Sequence, residues 1–228
     1  MDRAGKKGRQ AEAARNDLKV LQAAREIFAT QGWEAPVSAI AERAGVGMGS
    51  LYRRYGSKTE LLQYLCVMSM RQVIDAAETA RAADDPWDGL ADYVRACVAL
   101  GAGAFAPRAG TIEVTGEMLA TAKRSNELLR AILARAQRSG QARPDVTDAD
   151  IWGIIEQFSR RSANPRIPDD PSNRTRILAI ALDGLRSSPG TRMPGTPPDP
   201  HASARKWAAP LSEPLPPPGH RPRRTPRT

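Results

Sequence analysis

The chain has 228 residues, 41% of them hydrophobic, so it is long enough to bury a substantial core. Its formal net charge is +9, unevenly placed: residues 1–60 carry 11 Lys/Arg against 7 Asp/Glu, residues 61–187 carry 16 of each, and residues 188–228 carry 7 against 2. A neutral middle with basic ends is typical of a polyanion-binding part joined to a part with another task, although solvated basic tails would give the same distribution.

Composition also argues against an exported or membrane protein. Cys66 and Cys97 lie far apart inside apolar stretches, which predicts reduced core residues and not a disulfide or metal pair. No apolar run follows the basic Met1–Gln10 segment, so we predict no signal peptide. No stretch approaches the roughly 18–20 apolar residues that span a bilayer. We therefore expect a soluble, cytoplasmic protein with no membrane partner.

We predict an all-α fold, because apolar residues recur at spacings of three and four and strictly alternating β-branched runs are absent. Residues 1–14 are predicted to form a basic disordered arm. Residues 188–228 hold 12 of the 19 prolines and are predicted to form a disordered tail. Between them we predict a DNA-binding head at 15–62 and a helical body at 63–187. The predicted helices are Asn16–Gln31, Pro36–Ala44, Gly47–Tyr55, Ser57–Ala82, Pro86–Leu100, Gly110–Ala122, Ser125–Ser139, Thr147–Arg161 and Asn173–Ser187.

The segment from Val37 to Tyr55 has the features of a helix-turn-helix. Ala41 is small where a second helix must cross, and Gly45 lies at the turn, where a positive φ is needed. This arrangement lets the start of the second helix enter the major groove of DNA. That start, Gly47–Ser50, has mostly small side chains, so the helix amides and the positive end of the helix dipole can approach phosphate.

The segment continues as Leu51-Tyr-Arg-Arg-Tyr-Gly-Ser-Lys58 and then a Ser57–Glu60 capping-box pattern. Over about Ala14–Leu65 the chain resembles the TetR family, whose pattern is Ile-Ala-x-x-Ala-Gly-Val-x-x-Gly-(Thr/Ser)-Leu-Tyr-x-x-Phe-x-Ser-Lys-x-x-Leu-Leu. The resemblance implies a transcriptional regulator, commonly a repressor, that binds double-stranded operator DNA as a homodimer. It places the DNA contacts on Gly47, Met48, Ser50, Tyr52, Arg53, Arg54 and Lys58.

Three positions depart from the family pattern. Ala35-Pro36 stands where a Thr or Ser often caps the second helix, and Gly47 stands where a hydroxyl residue is common. Tyr55 replaces the usual Phe, and we predict that it is a core residue. Arg53 and Arg54 cannot point the same way on a helix, so we expect only one of them to contact a base.

The resemblance further implies a body that binds a small-molecule effector, which the sequence does not identify, and that dimerises through its last two helices. For any of the predicted pocket residues, an ordinary core position is the simpler alternative. The predicted pocket residues are Trp87, Tyr93, Cys97, Glu117, Met118 and Trp152. The predicted dimer residues are Ile151, Ile155, Phe158, Ile177, Ala181 and Leu185.

An enzyme and a helical scaffold are the two alternatives to a regulator. The only histidines, His201 and His220, lie in the predicted tail, so the helical part has no His base or His metal ligand. We therefore expect no catalytic residues, no metal, no cofactor and no enzyme, although a carboxylate-only catalyst stays an open alternative. A helical scaffold protein is the second alternative. The small side chains of Gly47–Ser50 argue against it, because they would pack poorly against another helix.

Overall fold

The computed structural model describes the backbone of residues 3–105, 112–160, 170–186 and 192–195, with side chains from residue 12 onward except residue 105. Within these ranges the chain forms α-helices, one short 3-10 helix at Ala102–Phe105 and no strand, which confirms the all-α class. The helices are α1 (Arg3–Gln31), α2 (Val37–Ala44), α3 (Met48–Tyr55), α4 (Lys58–Arg81), α5 (Pro86–Ala99), α6 (Gly116–Arg138), α7 (Asp148–Ser159) and α8 (Pro171–Asp183).

Two sequence predictions about these elements were wrong. Helix α1 begins at Arg3, so the predicted disordered arm is helical from that residue, because Ala, Lys, Arg, Gln and Glu favour a helix and only two glycines oppose it. The two helices predicted on either side of Lys123 are the single helix α6, since no Gly or Pro interrupts it after Gly116. Most of the predicted disordered tail, 188–228, lies outside the described residues.

The local signals at the helix ends are confirmed. Gly45 ends α2 with φ 67° and ψ 33°, the left-handed conformation that glycine adopts without steric cost. The Ser57 Oγ accepts a hydrogen bond from the Glu60 N–H at 3.1 Å and so caps α4. Thr147 and Asp150 form a complete, reciprocal capping box at the start of α7.

Buried apolar residues form two clusters, and α4 runs through both. The head cluster contains residues of α1, α2, α3 and the first half of α4, among them Leu61 and Leu65. The body cluster contains Val73 and Ala77 from the second half of α4, together with residues of α5 to α8. At 24 residues, α4 is about 36 Å long, so one continuous helix extends through both clusters.

The head cluster also contains residues from outside the head. Ile112, and Met118 in the first turn of α6, pack into it from the body side of the chain. Helix α1 also contacts the 3-10 helix that follows α5. The head is therefore joined to the body by packed side chains as well as by α4.

We predict that Gly89→Ala destabilises the protein, because α5 crosses α4 too closely for a side chain at this position. An added Cβ would lie 2.5 Å from the backbone oxygen of Ala80. Overpacking of this kind costs roughly 1–3 kcal/mol, which urea unfolding would measure. The control is Gly116→Ala, where a Cβ would meet nothing within 4 Å. Equal stabilities of the two variants would contradict the prediction.

Candidate nucleic-acid interface

Helices α2 and α3 form the predicted helix-turn-helix, with α3 as the outer helix. The Val46 N–H donates to the Ala41 carbonyl at 3.0 Å, which closes the turn after Gly45. Leu51 and Tyr55 are the buried residues of α3, and they face the head cluster. Met48 is half-buried against the same cluster, and the side chains of Ser50, Tyr52, Arg53 and Arg54 are exposed.

The outward surface of α3 is open at its N-terminal end. Gly47 precedes the first turn, and no side chain caps the helix there. A Cβ built on Gly47 or Gly49 would meet nothing within 4 Å, so the chain's own packing does not require glycine at either position. Uncapped N–H groups at a helix start carry partial positive charge and suit an anion such as phosphate.

The predicted contact residues lie on this surface. Tyr52 is 41% exposed, and Ser50, Arg53 and Lys58 are also exposed, while Met48 is half-buried. The Arg53 guanidinium reaches the Ser50 Oγ only at 3.4 Å, a weak contact that leaves it able to bind elsewhere. These side chains combine hydrogen-bond donors and positive charge beside the uncapped helix start.

A buried carboxylate, Asp17 of α1, holds α3 in place. Asp17 is only 4% exposed. The Arg54 Nη2 donates to its Oδ2 at 2.5 Å, and the Tyr55 hydroxyl donates to its Oδ1 at 2.5 Å. The Tyr64 hydroxyl, from α4, donates to Oδ2 at 3.0 Å. One carboxylate therefore ties together α1, α3 and α4.

Burial, with Asp17 next to it, raises the pKa of both Tyr55 and Tyr64 above the ordinary tyrosine value. Both phenols therefore stay protonated and act as donors to Asp17. Tyr55 is in the core, as predicted, and its hydroxyl, which a Phe would lack, donates to Asp17.

The sequence reasoning missed Asp17. Two polar groups among the apolar residues of the head could have indicated it. One is the acidic side chain on the inner face of α1, and the other is the hydroxyl of Tyr55. Arg54 is half exposed, but its ion pair with Asp17 directs it toward the protein. Of the two adjacent arginines, Arg54 is paired with a carboxylate of its own chain, whereas Arg53 makes the weak contact to Ser50.

The predicted pocket residues do not come together as one site. Tyr93 and Cys97 are buried on α5, and Trp87 is buried at the start of the same helix, where the Arg186 guanidinium lies 4.6 Å from its ring. Trp152 is half-buried against the body cluster. Glu117 is exposed and pairs with the exposed Arg71 at 2.8 Å, and Met118 belongs to the head cluster.

The predicted dimer residues also divide into two groups. Ile151, Ile155 and Leu185 are buried in the chain's own body cluster, so their assignment to an interface was wrong. An apolar stripe on a helix can face either its own core or a partner, and spacing does not distinguish the two. Phe158 and Ala181 instead line a groove of about 910 Å³ between α7 and α8, which residues 192–195 also line. Ile177 is exposed on α8.

No α-helix in the described ranges is both long and apolar enough to cross a membrane. Across the same residues, no three His, Cys, Asp or Glu side chains are grouped so that they could hold a metal ion.

We predict that Asp17→Ala destabilises the protein, because three hydrogen-bond donors then lose their common acceptor. Loss of one partner of a buried, hydrogen-bonded ion pair costs about 3–5 kcal/mol, and we expect the lower end of that range because Arg54 is half exposed. Urea unfolding would measure the loss.

The control is Glu26→Ala, which breaks the exposed Arg43–Glu26 pair between α2 and α1. Exposed ion pairs contribute about 0–1 kcal/mol. If the Asp17 variant loses no more stability than the Glu26 variant, Asp17 does not hold α3.

Comparisons with known proteins agree with this geometry. Residues 20–65 match the family described as bacterial regulatory proteins, tetR family, and residues 85–187 match the C-terminal domain of SbtR-like transcriptional regulators. The HTH-type transcriptional regulator UidR of Escherichia coli K12 is 29% identical over 154 residues, which is 61% of this chain and 76% of UidR.

Solved structures give the same result. A TetR regulatory protein from Mycobacterium vanbaalenii superposes with a TM-score of 0.51 at 28% identity, covering 78% of this chain and 98% of that one. LfrR from Mycobacterium smegmatis, solved in complex with proflavine, superposes with a TM-score of 0.55 at 20% identity, covering 80% and 99%. With its helix-turn-helix head and all-helical body, the chain belongs to the TetR family of DNA-binding transcriptional regulators.

Proposed function

We propose that the chain is a ligand-responsive repressor that binds operator DNA as a homodimer and releases it when a small molecule occupies the body. The observation that carries the proposal is the open, uncapped start of α3, with exposed polar and cationic side chains beside it. The proposal includes a cytoplasmic location, where a bacterial operator lies, and no enzymatic activity.

The proposed DNA contacts follow from the exposed surface of α3. Backbone amides near Gly47 and Met48 approach phosphate, and Lys58, at the start of α4, contacts the phosphate backbone. Ser50 and Tyr52 lie on the first two turns, where they reach the groove. Arg53 is the proposed base reader, since an arginine fork pairs with the O6 and N7 atoms of guanine.

Arg54 has a different part in the proposal. Its guanidinium neutralises Asp17 and so fixes α3 against α1, and its remaining exposed edge contacts phosphate. It is therefore a positioning residue first and a DNA contact second. This division follows the expectation that only one of the adjacent arginines contacts a base.

The dimer is proposed to form through the exposed parts of α7 and α8. Ile180 is 63% exposed and Ile177 is exposed next to it, while Ile154 and Phe158 line the adjacent groove. Exposed apolar residues grouped in this way typically mark an interaction surface. A two-fold dimer places two heads about 34 Å apart, or a little more, on successive major grooves, and so doubles the DNA sequence that is read.

Release is proposed to operate through α4. A ligand that binds the body more tightly in one arrangement of α4 to α6 shifts the population toward that arrangement. Because α4 also belongs to the head cluster, its movement changes the distance between the two heads. LfrR shows that a protein of this fold can hold a small molecule.

Arg53→Ala tests the DNA surface. On the intergenic DNA beside its own gene, we expect binding weaker by roughly 5- to 150-fold, the value of 1–3 kcal/mol for a bidentate base contact. Gel shift or anisotropy at fixed salt measures the change, with random DNA as competitor. The control is Arg138→Ala, an exposed arginine near the end of α6, which should bind like the wild type. The proposal fails if the wild type does not prefer this DNA to random DNA at low ionic strength.

Ile180→Asp tests the dimer surface. A buried, unpaired carboxylate at a two-fold interface is strongly unfavourable, so we expect monomers at low micromolar concentration and a large loss of operator affinity. Light scattering after gel filtration measures the mass. The matched control is Leu119→Asp, which adds the same charge to an exposed leucine on α6. A variant at Ile180 that stays dimeric would show that the interface lies elsewhere.

A further inference from the structure

After α8 the chain returns to the body at residues 192–195. These residues line one side of the groove between α7 and α8. The Met193 N–H donates to the Asp145 Oδ2 at 2.9 Å, a hydrogen bond between positions 48 residues apart. Asp145 lies in the connection between α6 and α7. Residues 192–195, called the 192–195 segment below, are therefore attached to the same part of the body that carries α7 and α8.

The carboxylate of Asp145 is held ready to accept this hydrogen bond. The Arg143 Nε and Nη2 donate to its two oxygens at 3.0 and 3.1 Å, a bidentate fork that fixes its orientation. Arg143 is only 7% exposed, and its N–H donates to the Leu185 carbonyl just after α8. The hydrogen bonds from Arg143 and from the Met193 N–H lower the pKa of Asp145 to about 2, so the acceptor is charged at neutral pH. A charged acceptor binds an amide more strongly than a neutral one does.

The 192–195 segment borders the groove without filling it. The volume that remains is about 910 Å³, with Ile154 and Phe158 along it. Met193 is apolar and still 43% exposed. Within the described residues, seven large apolar side chains are exposed, and three of them belong to α8 and this segment: Ile177, Ile180 and Met193. Exposed apolar residues that are grouped mark an interaction surface, whereas scattered single ones need no explanation.

The charges around the groove indicate what kind of partner fits it. Among the lining residues that the structure describes, only Asp145, Asp150 and Arg192 carry a charge. Asp145 is paired with Arg143, and Asp150 accepts hydrogen bonds from Thr147 in the capping box of α7. An apolar face with few free charges is typical of the core of a homodimer interface, and it does not suit nucleic acid.

We propose that the 192–195 segment is part of the dimer interface, where Asp145 fixes it and where Met193 and Pro194 pack against a second copy of the chain. This inference rests on the proposed function, in which α7 and α8 form the dimer face. It adds an element from the C-terminal tail to that face. A two-fold interface uses the same patch on both copies, so each segment also extends the surface that receives the other copy. Asp145 and Arg143 are positioning residues in this arrangement.

The first test places a charge on the segment in the full chain. We expect Met193→Asp to raise the dissociation constant of the dimer by roughly 10-fold or more, because a carboxylate would be buried without a partner. Sedimentation equilibrium without DNA measures the constant. The matched control is Leu119→Asp, which adds the same charge to a leucine of α6 that is 46% exposed, against 43% for Met193. An unchanged or tighter dimer in Met193→Asp would leave the groove to the rest of the tail or to another protein, and it overturns the proposal.

The second test removes the anchoring N–H and leaves Asp145 and Arg143 intact. Met193→Pro has no N–H to donate, whereas Met193→Ala keeps it. Proline retains more apolar surface than alanine, so packing alone would favour the proline variant. We expect the opposite, a dissociation constant for Met193→Pro that exceeds that of Met193→Ala by roughly 5-fold or more, since a hydrogen bond to a charged group is lost.

The same pair in an Asp145→Ala background shows whether the N–H acts through Asp145. The two variants should then have equal dissociation constants, because the acceptor is gone. A difference that persists in this background, or equal constants in the wild-type background, overturns the role of Asp145.

Two comparisons separate this inference from the proposed function. If Ile180→Asp gives monomers while Met193→Asp dimerises like Leu119→Asp, the face on α7 and α8 stands and the segment is not part of it. If Met193→Asp weakens the dimer and Ile180→Asp does not, the segment stands and the proposed face fails. A monomeric wild type overturns both. If the wild type ignores operator DNA while the dimer results hold, the regulatory function fails and the role of the segment stands.

Discussion

Helix α4 belongs to both apolar clusters of the molecule, and the rest of the architecture depends on this. Its first half is buried against α1 and α3, and its second half against α5 and α6. A continuous hydrogen-bonded helix is stiff, so a change in packing at one end is carried to the other. Ile112 and Met118 add a second connection, because they pack into the head cluster from the body side. DNA recognition and the state of the body are therefore properties of one packed structure.

A buried carboxylate gives the helix α3 a defined position next to this connection. Asp17 has three hydrogen-bond donors, so its burial is compensated and it fixes the orientation of α3. The Arg25 guanidinium of α1 donates to Ser69 and Gln72 of α4. Helix α1 is therefore joined to α3 through Asp17 and to α4 through Arg25.

Helices α7 and α8 each have apolar residues that are buried and apolar residues that face outward. Ile151 and Ile155 are buried in the body cluster, whereas Ile154 and Phe158 on the same helix line the open groove. On α8, Leu178 and Leu182 face inward and Ile180 faces outward. Each helix thus has more apolar surface than the described part of the chain covers, which is the property expected of a dimer-forming face.

The sequence by itself determined the features that depend on neighbouring residues. The helix-turn-helix, the left-handed Gly45, the cap at Ser57 and the exposed start of α3 all follow from residue type and short spacing, and all were predicted. Only the tertiary structure decided which apolar and polar residues meet. Asp17 and Arg54 are 37 residues apart, and the inward or outward direction of Ile151, Leu185 and Glu117 depends on which helices pack beside them. Spacing along a chain specifies a helix and its faces, but the partner of each face is set by contacts between residues distant in sequence.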